Sequence, residues 1–115
     1  MIKAIFFKDS KSFIKGFRMN GHAEYADKGQ DIVCAAVSAL TVNAVNSIEH
    51  FTDDEISYKN KSGFFEFRFK KDTSSPESQL LLHALLLGLQ AIQKDYSAEY
   101  IAVTAKEVEI MWKMN

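Results

Sequence analysis

A single cysteine, Cys34, leaves no partner for a disulfide within the chain, so nothing in the sequence calls for an oxidising compartment. Charge of one sign is also lacking. Fourteen basic and fifteen acidic residues give a formal charge of −1, which removes any general drive toward nucleic acid or an acidic membrane surface. The longest apolar run, Leu80 to Leu89, is interrupted by His83 and falls well short of a membrane span of roughly 20 residues. The first residues, Met1 to Asp9, meet charge too soon for a signal peptide. One cysteine and three scattered histidines offer none of the paired spacings of a zinc site, and no glycine-rich phosphate or dinucleotide pattern occurs. No metal and no cofactor are expected. Internal repeats, linkers and low-complexity stretches are missing too, leaving one domain over residues 1–115. Its 47% hydrophobic and 25% charged residues are ordinary for a soluble cytoplasmic protein with a real core.

What is present divides into strands and helices. Residues 2–7 and 13–19, rich in Ile and Phe, flank the turn-like Lys8-Asp9-Ser10-Lys11-Ser12 and read as a hairpin, with Phe13, Phe17 and Met19 on one face. Residues 20–30 carry two glycines and little periodicity, a loop. Asp31 is a good N-cap for a helix that would run to Thr52-Asp53-Asp54, with Val33, Val37, Leu40, Ala44 and Ile48 on its inner stripe. Cys34, Ser38, Thr41 and Val45 fall along the edge of that stripe. Residues 56–59 and 64–70 form a second hairpin around Asn60-Lys61-Ser62-Gly63. Phe65, Phe67 and Phe69 there alternate with Glu66, Arg68 and Lys70, which favours a core strand over an RNA-stacking one.

Ser75 and Pro76 start a second helix. Leu81, Leu82, Leu85, Leu86, Leu89 and Ile92 form its wide apolar arc, and Leu80, Ala84, Leu87 and Ala91 a second arc. Only a narrow polar strip with Gln79, His83 and Gln90 is left, so a second subunit is a natural cover for one side. Residues 100–105 read as a last strand; the 107–115 tail, with Trp112, carries no clear pattern. The expected fold is α+β: a largely antiparallel sheet of about five strands with two main helices packed as a layer.

The chemistry centres on Cys34, in the first turn of the first helix. A thiolate is the reactive form of cysteine, and a helix N-terminus and a nearby imidazole are the usual ways to favour it. His22, in Asn20-Gly21-His22-Ala23, supplies such an imidazole from a loop. The plainer alternative is that Cys34 is a small core hydrophobe. His50 is best read as facing the negative end of the first helix, and His83 as a solvated or interface residue. Asp31 serves either as the cap or as a third member orienting His22. Ser38, one turn after Cys34, is a structural hydroxyl or part of the site floor. Gly21 and Gly29 bound the loop that holds His22, which is expected to move on substrate binding, and the Cys34 amide is a candidate oxyanion donor.

Gly21-His22-Ala23 followed by Gly29-x-Asp31-Ile32-Val33-Cys34-Ala35-Ala36-Val37-Ser38 resembles the signature of the bacterial ribosomal-processing cysteine proteases, the Prp family. The resemblance implies removal of a short N-terminal extension from a large-subunit ribosomal protein precursor, with cleavage after paired phenylalanines. It assigns Cys34 as nucleophile and His22 as general base, then acid, and places the motif's glycine and aspartate at Gly21 and Asp31. It also implies a homodimer. Two other classes stay open: a noncatalytic ribosome-associated protein-binding module, with Cys34 in the core, and a thiol-redox protein, which the missing second thiol disfavours.

Overall fold

Alternation of Ile2, Ala4 and Phe6 with Lys3 and Ile5 makes the first strand, β1 (Ile2–Lys8), in the computed structural model, which describes residues 1–27 and 29–109. There follow β2 (Ile14–Asn20), α1 (Ile32–Phe51), β3 (Ile56–Lys61), β4 (Phe64–Phe69), α2 (Pro76–Tyr96) and β5 (Ile101–Glu107). The strands form one sheet in the order β3-β4-β2-β1-β5. All neighbours are antiparallel except β1 and β5, which run parallel. Those pairings make β2 and β3 run the same way, and likewise β4 and β5. Each helix is therefore the crossover that such strands require.

One face of the sheet is aromatic. Phe17 stacks at 5.3 Å on both Phe6 and Phe67, its cross-strand partners, and Met19 pairs with Ala4 and Phe65. Val33, Val37, Val45 and Ile48 of α1 and Leu82, Leu85 and Leu89 of α2 complete the same buried cluster. Burying each such side chain contributes about 1.5–3 kcal/mol, so this face sets where both helices lie. The opposite face carries charge, with Arg18 ion-paired to Glu66 and set over the ring of Phe7. By length and a mean hydropathy of 1.5, α1 could cross a membrane, a feature that the Leu80–Leu89 run had concealed. Its stripe of Val33, Val37, Val45 and Ile48 is instead spent on the sheet.

Five expectations need correction. The hairpin face holds Phe17 and Met19, but Phe13 lies outside β2 and is 48% exposed, while Ile14 is fully buried. An irregularity in register between Phe7 and Lys8 shifts the alternation. There the Gln79 side chain stands in for a strand: its Oε1 accepts from the Ile14 amide and its Nε2 donates to the Ile14 carbonyl, both at 2.8 Å. Gln79 is accordingly buried, not part of a solvated strip. The inner stripe of α1 is rotated toward Thr41, whose hydroxyl donates to the Val37 carbonyl at 2.7 Å, which leaves Leu40 38% exposed. The second hairpin keeps its strands paired to Lys61 and Phe64, so its turn is only Ser62-Gly63. The last strand runs to Glu107, and Trp112 lies outside the described residues.

Candidate active site

The site begins where β2 ends. Asn20 pairs with Phe64, so the chain leaving β2 emerges beside the β3–β4 turn, and the Gly21 amide donates to the Gly63 carbonyl at 2.9 Å. Gly21 has φ +97°, and a side chain there would collide with the Met1 carbonyl. His22 follows, exposed, and then Ala23, which is buried. The Ala23 amide donates to Cys34 Sγ at 3.2 Å. No hydrogen bond joins His22 to Cys34 among the described residues.

Asp31 organises the rest. Its Oδ1 accepts from the Val33 and Cys34 amides, both at 3.0 Å, which caps α1 as its sequence position implied. Its Oδ2 reaches back to the loop and accepts from the Tyr25 amide at 3.0 Å and the Ala26 amide at 3.4 Å. Desolvation would raise this carboxyl, but the four backbone donors outweigh it and hold the group below its ordinary value of 3.8. The carboxylate is thus engaged with backbone on both sides. The Cys34 amide, the candidate oxyanion donor, is bonded to Asp31 Oδ1 in this structure.

The loop has a further anchor. Tyr25 sets its ring edge-on against Tyr96 and Tyr100, at 5.5 and 5.1 Å. Of the two bounding glycines, Gly21 is bonded and packed, whereas Gly29, with φ +89°, faces open space.

All six residues singled out from the sequence, Cys34, His22, Asp31, Gly21, Gly29 and Ser38, line one cavity of about 810 Å³. Ile2, Met19, Val37, Thr41, Val42 and Phe65 give it apolar walls, suited to an apolar side chain. Its remaining rim, Asn60 to Phe64, was read only as a turn and a strand start. The pairing of β4 with β2 brings that turn to His22, and a single sequence carries no signal for this pairing. His50 sits in the last turn of α1 with its ring 4.7 Å from Phe51, and His83 is exposed on α2. Neither lines the cavity. No cluster of metal-binding side chains occurs among the described residues.

Cys34 on a capped helix start and the loop residue His22 line one apolar-walled cavity of an α+β layer, and the proteins this chain is similar to are cysteine proteases. Residues 1–102 match the model of a family described as cysteine protease Prp, and the chain belongs to that family. The ribosomal processing cysteine protease Prp of Bacillus subtilis (strain 168) is 34% identical over 102 residues, 84% of this chain and 90% of that protein. Its counterpart in Staphylococcus aureus (strain NCTC 8325 / PS 47) is 40% identical over 81 residues, 69% of this chain and 76% of that protein. A crystal structure of the essential ribosomal processing protease Prp from S. aureus with a covalently linked product peptide has a TM-score of 0.86. It is 32% identical and spans 92% of this chain and 100% of its own. The same S. aureus protease with a substrate peptide has a TM-score of 0.80 at 31% identity, with the same coverage.

Proposed function

We propose that this protease removes the N-terminal extension of a large-subunit ribosomal protein precursor in the cytoplasm, cutting after phenylalanine through a Cys34–His22 dyad. The observation that carries the reading is the convergence of Cys34, His22 and an apolar wall on one cavity. His22 takes the thiol proton as Sγ attacks the carbonyl carbon, giving a tetrahedral intermediate and then a thioester. His22 returns that proton to the leaving amine and later activates the water that releases the acid. Asp31 acts as a cap and loop tether, Gly21 fixes the base's backbone, Gly29 gives the loop its freedom, and Ser38 lies on the cavity wall one turn beyond the nucleophile.

The protease acts as a homodimer. Leu80 and Leu87 are 72% and 67% exposed on α2, aligned with Ala84 and Ala91 at helical spacing. A second copy covers this stripe. The test of the catalytic reading is incubation with a peptide carrying Phe-Phe-Ala after a short extension, read by mass spectrometry. Cleavage after the phenylalanines by the wild type, lost in Cys34→Ala and His22→Ala, supports the dyad. Equal cleavage by Cys34→Ala contradicts it.

A further inference from the structure

We infer that Gly63, in the turn between β3 and β4, is a positioning residue for the His22 imidazole, an inference that rests on His22 serving as the base. The backbone around His22 is held on both sides. The Gly21 amide before it bonds to the Gly63 carbonyl at 2.9 Å, and the Ala23 amide after it bonds to Cys34 Sγ at 3.2 Å. With the backbone held, side-chain rotation places the ring, and the missing side chain of Gly63 leaves the space in which the ring lies. A Cβ built on Gly63 would stand 2.8 Å from His22 Nε2, 3.3 Å from Cε1 and 3.4 Å from Cδ2. Three of the five ring atoms thus lie within 3.4 Å of the point where a side chain at residue 63 would begin.

This contact has an asymmetric consequence. The imidazole is the exposed end of a side chain and can swing away from a new methyl group at little cost to folding. Catalysis requires the ring to reach the Cys34 proton, and a Cβ at residue 63 takes space from the side on which the ring now lies. A misplacement of about 1 Å in reacting groups costs on the order of a hundredfold in rate. Gly63 also has φ +71°, where alanine is strained but asparagine is at home, so strain and obstruction can be told apart.

The experiment compares wild type, Gly63→Ala and Gly63→Asn in peptide cleavage, with the His22 ring signals followed by NMR. Both variants bring the same Cβ. Positioning gives a fall in kcat on the order of a hundredfold in both, a KM within about twofold, and displaced His22 signals in both. A strain-only role spares Gly63→Asn and impairs Gly63→Ala, which overturns the inference, as does wild-type kcat in either folded variant. Where a variant does not fold, the same change is made with His22→Ala. Recovered folding identifies the imidazole as the obstacle, and persistent misfolding overturns the inference. His22→Ala alone, assayed alongside, judges the base itself: full activity there removes the dyad reading, while the His22 signals still report whether Gly63 places the ring.

Discussion

Replacing Asp31 separates its two tasks. Alanine removes the acceptor for all four amides, of Val33, Cys34, Tyr25 and Ala26. Loss of an N-cap costs about 1–2 kcal/mol, and each solvent-accessible loop bond adds roughly 0.5 kcal/mol, for a total near 2–3 kcal/mol. In a domain of this size about 1 kcal/mol moves Tm by roughly 4 °C, so Asp31→Ala melts about 8–12 °C lower. Asparagine behaves differently. It caps a helix as well as aspartate does, but its NH2 group faces the Tyr25 and Ala26 amides where Oδ2 stood, donor against donor. Asp31→Asn therefore keeps Tm within about 4 °C, loses hydrogen-exchange protection at Tyr25 and Ala26, and drops kcat about tenfold or more as the loop holding His22 loosens. Circular dichroism melts, hydrogen exchange and peptide cleavage read the three effects. An unchanged Tm in Asp31→Ala would refute the cap argument. Wild-type protection and kcat in Asp31→Asn would refute the tether.

Three further outcomes are expected. Gln79→Leu strands the buried Ile14 amide and carbonyl, at about 1–3 kcal/mol for each unsatisfied group, and a urea titration should show a loss of roughly 2–6 kcal/mol. In Asp9, Asp31 and Asp54, desolvation is outweighed by hydrogen bonds, joined at Asp9 by Lys15, and all three carboxyls are held below their ordinary 3.8. The stability from such depressed groups is fully present above pH 3.8 and is lost as pH falls through their folded-state values. Thermal melts between pH 5 and 2 should therefore fall steeply at the acid end, and a flat profile there counts against these contacts. Leu87→Glu places a charge on the exposed α2 stripe and should shift the protein from dimer to monomer in light scattering without loss of helix; an unchanged mass removes α2 from the interface.

Local chemistry was legible in the sequence where short-range rules decide the outcome. Asp31 and Ser75 start both helices as their side chains predict, each accepting from backbone amides one turn in. The alternation of Phe65, Phe67 and Phe69 against Glu66 and Arg68 marked β4, and the Leu80–Ala84–Leu87–Ala91 arc emerged as a separate face of α2. Cys34 and His22 were close enough in sequence to be proposed together, and both line the cavity. What stayed hidden depends on distant partners. Gln79 completes β2 across 65 residues, so no local pattern could place Ile14 inside and Phe13 outside. The packing of α1 on its neighbours, not its own periodicity, buries Thr41 and leaves Leu40 exposed. Ser62-Gly63 read as a turn and nothing more, because only the β2–β4 pairing carries it to His22.

The central claim is that Cys34 forms an acyl-enzyme. Intact-protein mass spectrometry after rapid acid quench of a Phe-Phe-Ala peptide reaction tests it most directly. The account gives a transient adduct equal to the N-terminal product less one water, located on the peptide that contains Cys34, and no such adduct in Cys34→Ala. Turnover of the same peptide with the adduct on another residue, or with undiminished turnover in Cys34→Ala, would contradict it.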